Sequence, residues 1–138
     1  MSANARTPGQ PGACACILYI EDNPQNVRLL RKMLQNGGFE MIDASGGLMG
    51  LQCAADFKPH IILLDIDLPD IDGVEVTRRL KADAALAHIP VIAVTANVMY
   101  GDRQRFIDAG CDGYLAKPVT RHELINTVTY FLDRLDID

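Results

Sequence analysis

Five side chains that could take part in chemistry stand at the ends of short apolar runs in this sequence. Glu21 and Asp22 follow CILYI, Asp65 follows IILL, Thr95 follows VIAV and Lys117 follows GYLA. If these runs are parallel strands of one sheet, their carboxyl ends meet at one edge, where ligand sites form in such sheets. The sequence therefore predicts three carboxylates, one hydroxyl and one ammonium group at a single site.

The composition of this predicted site indicates phosphoryl transfer assisted by a metal ion. Carboxylates held together repel one another, since two like charges roughly 4 Å apart cost about 4 kcal/mol at an effective dielectric of 20. One lysine cannot neutralise three acids, whereas Mg²⁺ prefers oxygen ligands and commonly takes carboxylates together with waters and phosphate oxygens. We expect Mg²⁺ here, with one carboxylate attacking phosphorus while Lys117 and Thr95 bind phosphoryl oxygens. Asp65 is the candidate nucleophile, because residues 61–64 predict a buried, rigid strand before it.

The elements that must position this site are predicted by an alternation of short apolar runs with amphipathic stretches of helical length. Such an alternation is typical of an α/β fold, here a doubly wound, five-stranded parallel sheet with helices on both faces. We expect the flavodoxin-like strand order 2-1-3-4-5, which is taken from known sheets of this size. The predicted strands are residues 17–20, 40–44, 61–64, 91–94 and 113–115. The predicted helices are one that ends at Gly37-Gly38, then 48–55, 74–82, 97–109 and one from 121 onward.

The length and composition are those of one folded domain. The chain has 138 residues, 49% hydrophobic and 22% charged, which is too apolar for a disordered chain. We expect residues 1–14, which contain prolines and glycines, to form a flexible tail, and residues 15–138 to form the domain. No apolar stretch approaches the roughly 18 residues of a membrane span, and the N-terminus lacks the apolar core of a secretory signal. We therefore predict a cytoplasmic protein without membrane association.

The net charge argues against direct nucleic-acid binding. The sequence has 13 Lys and Arg against 18 Asp and Glu, a formal net charge of −5, and its largest basic cluster is Arg28, Arg31 and Lys32. The acids of one segment account for this charge: Asp65, Asp67, Asp70, Asp72 and Glu75. We interpret Asp70 and Asp72 as turn formers and as the N-terminal charge of the third helix, not as metal ligands.

The strings LYIEDN, ILLDIDLPDIDG, VIAVTAN and GCDGYLAKPV carry a family resemblance. Together with the five side chains above, they resemble the receiver domain of response regulators in two-component signalling. The resemblance covers about residues 15–135. Within the family, the chain is similar to stand-alone receivers of the DivK type and to receivers fused to hybrid histidine kinases.

The resemblance implies a phosphoacceptor and a metal site. Asp65 would accept the phosphoryl group from the phosphohistidine of a histidine kinase or histidine phosphotransferase. Asp22 would bind Mg²⁺ directly and Glu21 through water, with Asp65 and the backbone carbonyl of Asp67 as the remaining protein ligands. The Asp67 side chain and Asn97 stand at positions that tune the lifetime of the phosphoryl group in the family. Such a domain catalyses its own phosphorylation and slow dephosphorylation, and is not otherwise an enzyme.

The resemblance also implies a switch. Thr95 and Lys117 would contact the phosphoryl oxygens, Tyr114 would be the switch aromatic, and the bond between Lys117 and Pro118 would be cis. Phosphorylation would draw Thr95 toward the phosphoryl group and let Tyr114 turn inward. A Tyr in a strand is equally typical of a core position, so for Tyr114 both interpretations stay open.

Two partner surfaces are expected. The histidine-bearing partner would dock on the first helix and the neighbouring loops, where the wide apolar face of the helix leaves some of Leu29 and Met33 available. A downstream protein target would bind the face made by the fourth helix, fifth strand and fifth helix.

Other interpretations of the motifs remain. The pair Glu21-Asp22 is by itself equally typical of a turn and helix N-cap. A haloacid-dehalogenase-type phosphatase also uses a strand-end Asp followed two residues on by a second Asp, and Asp65-Ile66-Asp67 fits that pattern. In such enzymes an acidic pair follows the lysine, whereas here the pair precedes the nucleophile, and 138 residues leave no room for a cap domain. A scaffold that docks partners without phosphorylation is the other alternative, and the intact site weighs against it.

Overall fold

A computed structural model describes the backbone of residues 15–96 and 100–135, and the side chains of residues 15–96 and 103–134. The predicted tail (residues 1–14), the predicted start of the fourth helix and Asn97 lie outside the described residues. The strands are β1 (Cys16–Ile20), β2 (Glu40–Ala44), β3 (Ile61–Asp65), β4 (Val91–Thr95) and β5 (Gly113–Ala116). The helices are α1 (Pro24–Asn36), α2 (Gly47–Phe57), α3 (Gly73–Ala82), α4 (Tyr100–Ala109) and α5 (Arg121–Leu135).

The five strands form one parallel sheet in the order β2-β1-β3-β4-β5. This confirms the predicted fold class and strand order, and every predicted strand lies within one residue of an observed one. Strands β1, β3 and β4 are buried along their whole length, as expected for central strands covered by helices on both faces. Within the described residues, no helix has the length and apolar character needed to cross a membrane.

The register of the sheet brings the predicted site residues to one level. The residue before Glu21 pairs with the residue before Asp65. Asp65 pairs with the residue before Thr95, and Thr95 pairs with the residue before Lys117. Since the strands are parallel, this pairing alone places four polar side chains at one edge.

Apolar clusters on the two faces of the sheet hold helices α1, α5, α2 and α3 against it. On one face, buried side chains of α1 and α5 pack against the strands: Leu30, Leu34, Leu124 and Val128. On the other face, α2 and α3 contribute Ala54, Val76 and Leu80. Helix α2 lies especially close, because a Cβ at Gly50 would be 2.4 Å from Cδ1 of Ile20. Burial of each aliphatic side chain stabilises the fold by roughly 1.5–3 kcal/mol. The packed helices therefore hold the carboxyl-terminal edge of the sheet rigidly in place.

The N-terminal cap of α1 is Asn23, whose side chain accepts a hydrogen bond from the backbone N–H of Gln25. Pro24 follows as the first helical residue, where its missing N–H costs nothing. The helix ends as predicted at the two glycines, with Gly38 at a φ of 88° that favours glycine. Because Asn23 caps the helix, the interpretation of Glu21-Asp22 as the cap pair is wrong.

Asp70 and Asp72 cap two different helices. Asp72 accepts from the N–H of Val74 at 2.8 Å and caps α3, as expected. Asp70 instead reaches the start of α2, where its carboxylate accepts from Gly47 at 2.8 Å and from Leu48 at 2.9 Å. The hydrogen bonds from Leu48 and Gly47 lower the pKa of Asp70 to about 2. The loop after β3 is therefore tied to a helix more than twenty residues earlier.

The variant Asp70→Asn is expected to lower the free energy of unfolding near pH 6, because an amide is a weaker acceptor and lacks the charge favoured at a helix N-terminus. Since the pKa of Asp70 lies below its ordinary value of 3.8 in the folded protein, the stability from its charge is present above that pH and is lost as the pH falls toward 2. Urea unfolding at pH 6 and pH 3 measures the difference, which should shrink at pH 3. Asp133→Asn, at an exposed position of α5, is the control, and an equal difference at both pH values would contradict the assignment.

Candidate functional site

Three acids meet at the carboxyl ends of β1 and β3. Carboxylate oxygens of Glu21, Asp22 and Asp65 all lie within 4.8 Å of one another. Glu21 and Asp65 are only 2% and 3% exposed, whereas Asp22 is exposed to solvent. The structure therefore brings together all three carboxylates that the sequence analysis selected, two of them inside the protein.

Lys117 is the cation that lies against this cluster. Its Nζ is 3.2 Å from Oε1 of Glu21 and 3.4 Å from Oδ1 of Asp65. Burial alone would lower the pKa of Lys117, but the charges of Asp65 and Glu21 outweigh it and raise that pKa above the ordinary value. The bond between Lys117 and Pro118 is cis, as the resemblance implied. The ammonium group thus stays charged and bridges the two buried acids.

Glu21 accepts further hydrogen bonds that the sequence analysis did not foresee. The hydroxyl of Tyr19 donates to Oε1 at 2.9 Å, and the side-chain amide of Asn26 donates to the same oxygen at 3.1 Å. The backbone N–H of Asn23 donates to Oε2 at 3.2 Å. For Tyr19, the sequence spacing could have predicted this contact. Tyr19 lies two residues before Glu21, and residues two apart in a strand point to the same side of the sheet.

The two buried acids have opposite pKa shifts. Burial, together with the hydrogen bond to Glu21 and its charge, raises the pKa of Asp65 to about 7. Burial would also raise the pKa of Glu21, but hydrogen bonds from Asp65, Asn23 and Tyr19, with the charge of Lys117, lower it to about 2. Without a metal ion, Asp65 is therefore the acid of this pair that takes up a proton first as the pH falls.

The remaining predicted site residues lie at the same edge. Thr95 is 2% exposed and ends β4, and its carbonyl accepts from the backbone N–H of Lys117 at 2.9 Å. The backbone N–H of Asp67 donates to Oδ1 of Asp65 at 3.3 Å, while the Asp67 side chain is exposed. The loop after β3 is therefore hydrogen-bonded to the last residue of that strand.

Tyr114 lies farther from the acids, on the side of β5 that faces α4. The ring is half-buried and packs against a buried cluster that includes Phe106 and Ala109. The guanidinium carbon of Arg103 is 4.8 Å from the ring centre, within the range of a cation–π contact. Tyr114 thus links β5 to α4 in this structure.

The cluster fits a hard divalent cation. The three clustered groups offer only carboxylate oxygens, which are the ligands that Mg²⁺ and Ca²⁺ prefer, whereas zinc sites generally use Cys or His. One of the three acids is exposed, so an ion has a solvent-facing ligand and a route of entry. Among the described residues, the cation paired with these acids is the ammonium of Lys117, and its one positive charge leaves an excess of negative charge that a divalent cation would offset.

Comparison with known proteins assigns the family. The model of the response regulator receiver domain matches residues 17–129. This chain belongs to the response regulator receiver domain family. It is a receiver domain of two-component signalling, which confirms the main functional prediction and gives no support to the phosphatase or the phosphorylation-independent scaffold.

Relatives and solved structures agree with this assignment. The receiver is 42% identical over 116 residues to the polar-differentiation response regulator DivK of Brucella anthropi and of Brucella ovis, covering 84% of this chain and 94% of each relative. The receiver domain of the sensor histidine kinase PA1611 from Pseudomonas aeruginosa is 35% identical, with a TM-score of 0.82, 88% of this chain and 99% of that chain covered, and a magnesium ion coordinated in its active site cleft. Chemotaxis protein CheY4 of Vibrio cholerae shares the fold at 23% identity, with a TM-score of 0.82 and coverage of 86% and 99%.

The variant Asp65→Asn is expected to raise the free energy of unfolding of the metal-free receiver near pH 8 by roughly 1–2 kcal/mol. It removes one of two buried negative charges, and its amide can still donate to Glu21. Since the pKa of Asp65 is raised from 3.8 to about 7, the stability linked to this group is full below pH 3.8 and is lost as the pH rises through 7. The gain should therefore be larger at pH 8 than at pH 5.

Urea unfolding with a chelator present measures this gain. Asp108→Asn, at an exposed position of α4, is the matched control and should change little. A lower stability of Asp65→Asn at pH 8 would mean that the attraction of Lys117 outweighs the repulsion of Glu21.

Proposed function

We propose that this receiver takes a phosphoryl group onto a side-chain oxygen of Asp65 from the phosphohistidine of a histidine kinase or histidine phosphotransferase. The observation that carries the proposal is a buried Asp65 carboxylate, 3.4 Å from the ammonium of Lys117 and beside the acid pair, in a chain of the receiver family. A carboxylate oxygen forms the new bond to phosphorus while the phosphorus–nitrogen bond breaks. The electron pair leaves with the imidazole nitrogen: the ring departs as neutral imidazole when its other nitrogen carries a proton, and otherwise the departing nitrogen takes a proton from solvent.

Lys117 and Thr95 bind the transferred group in this proposal. Lys117 is already within 3.4 Å of the accepting carboxylate, so its ammonium lies where negative charge arrives. Thr95 ends the neighbouring strand, level in register with the residue before Lys117, and its hydroxyl would donate to a second phosphoryl oxygen. The domain thus promotes phosphorylation of its own Asp65 and slow hydrolysis of the product, without acting on a separate substrate.

Mg²⁺ is the proposed cofactor. Asp22, Asp65 and the backbone carbonyl of Asp67 would hold it directly and Glu21 through water. When bound, the ion offsets the charge of the acids and of the phosphoryl oxygens. The all-oxygen character of the cluster supports this proposal, as does the magnesium ion in the cleft of the Pseudomonas aeruginosa receiver.

Helix α1 is the proposed docking surface for the histidine-bearing partner. Leu29 is 48% exposed, and Arg28 and Lys32 are also exposed, on a helix without acidic residues. A cavity of about 370 Å³ lies between Leu29 and Lys117, next to the site. Met33, the other residue expected to be available, is half-buried and packs against the core, so it contributes less to this surface.

The face of α4, β5 and α5 is the proposed output surface. Phosphorylation would draw Thr95 toward Asp65, and Tyr114 would then leave its contact with Arg103 and turn inward. The positions of Thr95 and Tyr114 on paired strands support this coupling, since Tyr114 lies opposite Ala93 and Thr95 opposite Ala116. A downstream protein target would bind the altered face in the cytoplasm.

Phosphorylation is tested by incubating the receiver with acetyl phosphate and Mg²⁺ and measuring its intact mass. The wild type should gain one phosphoryl group, and Asp65→Asn should gain none, because an amide is not a nucleophile toward phosphorus. Asp72→Asn is the matched control: Asp72 belongs to the same loop but caps α3, so this variant should still be phosphorylated. The proposal fails if the wild type gains no mass or if Asp65→Asn gains as much as the wild type.

The switch is tested with beryllofluoride, a tetrahedral mimic of a carboxylate-bound phosphoryl group, by recording backbone amide NMR shifts. In the wild type we expect shift changes both around Asp65 and along residues 103–109 of α4. Tyr114→Ala should retain the first set and lose most of the second, because the ring that contacts α4 is gone. Tyr130→Ala, at an exposed position of α5, should behave like the wild type, and an unchanged α4 response in Tyr114→Ala would exclude Tyr114 as the switch.

A further inference from the structure

Among the described residues, three parts of the fold donate hydrogen bonds to Oε1 of Glu21. Tyr19 of β1 donates at 2.9 Å, Asn26 of α1 at 3.1 Å and Lys117, after β5, at 3.2 Å. Of these donors, only Lys117 has a part in the proposed phosphoryl transfer. The two neutral donors therefore need a separate explanation.

The hydroxyl of Tyr19 is not required to fill the core. Tyr19 is fully buried, and its ring belongs to the apolar cluster beneath α1 and α5. A phenylalanine would fill nearly the same volume without a polar atom, and burying an unpaired hydroxyl costs roughly 1–3 kcal/mol. The buried hydroxyl is satisfied because it donates a hydrogen bond to Glu21. This hydrogen bond restricts the orientation of the Glu21 carboxylate.

Asn26 donates to the same oxygen from helix α1. It lies in the first turn of α1, three residues after the cap Asn23, and its side chain is half-buried. Glu21 thus accepts hydrogen bonds from strand β1 and from the start of helix α1. Both elements are held in place by their own packing in the core. A carboxylate held by two neutral donors keeps its charge and loses its freedom to rotate.

We infer that Tyr19 and Asn26 are positioning residues of the proposed metal site, which hold Glu21 turned toward Asp22 and Asp65. This inference rests on the proposed function, because it assigns Glu21 to the site that binds Mg²⁺. Tyr19 and Asn26 do not touch the ion or the phosphoryl group; they act through the Glu21 carboxylate. Groups that orient a metal ligand typically change metal affinity 10- to 100-fold when they are removed.

The test is the Kd of Mg²⁺, measured by isothermal titration calorimetry on the full chain. Tyr19→Phe should raise the Kd about tenfold, the lower end of that range, because Glu21 contacts the ion through water. Asn26→Ala should raise it in the same direction. The matched control is Tyr130→Phe, which removes a hydroxyl from an exposed tyrosine of α5 and should leave the Kd unchanged.

A double-mutant cycle separates positioning from a general structural effect. In a Glu21→Gln background, the carboxylate on which Tyr19 acts is gone, so adding Tyr19→Phe should change the Kd little. If Tyr19→Phe raises the Kd by the same factor in both backgrounds, its effect does not pass through Glu21 and the inference is overturned. A second readout is the rate of Asp65 phosphorylation by acetyl phosphate, which in Tyr19→Phe should return to the wild-type rate at saturating Mg²⁺.

The outcomes also separate this inference from the proposed function. If the wild type binds Mg²⁺ and both Tyr19→Phe and Asn26→Ala bind it with the wild-type Kd, the inference fails and the proposed function stands. If the wild type does not bind Mg²⁺, while Asp22→Asn equally shows no binding, the proposed metal site fails and the inference fails with it. A raised Kd in both variants, absent from the Glu21→Gln background, supports the inference.

Discussion

The burial of like charges at the carboxyl ends of the strands is the constraint on which this structure depends. Glu21 and Asp65 are almost fully buried, with oxygens within 4.8 Å of each other and of Asp22. An uncompensated arrangement of this kind is costly. The protein offsets that cost with the ammonium of Lys117 and with neutral hydrogen-bond donors to Glu21, and burial beside Glu21 raises the pKa of Asp65. The carboxylates therefore repel one another, and binding of a cation would reduce this repulsion.

The apolar scaffold makes this repulsion tolerable. Three central strands are buried throughout, and helices packed on both faces prevent the acids from moving apart. Hydrogen bonds fix the loop after β3 at two further points. The backbone N–H of Asp67 donates to the Asp65 side chain at the end of β3, and Asp70 accepts from the first residues of α2. The burial of apolar side chains elsewhere in the domain therefore balances the local repulsion between the acids.

Much of the fold was predictable from the sequence because parallel strands and amphipathic helices have different apolar periods. The runs at 61–64 and 91–94 indicate central strands, and the glycine pair after α1 indicates where that helix ends. Strand order was taken from known folds of the same size, since the pattern of one chain does not state which strands are neighbours. Helix caps were less predictable. The cap of α1 is Asn23 and not the acid pair, because Asn is a good N-cap and the Pro that follows it suits the first helical position.

For the site, the sequence by itself determined which groups stand at strand ends: the acid pair, Asp65, Thr95 and Lys117. That followed from local pattern, because in a parallel sheet every strand presents its carboxyl end to the same edge. Only the tertiary structure decided how those groups are held. A tyrosine in a strand and an asparagine in a first helical turn are ordinary residues until packing brings both to one oxygen of Glu21. Asp70 belongs to an acidic turn by sequence but caps a helix more than twenty residues away. Such contacts depend on the distance between elements, which packing sets and local sequence pattern does not encode.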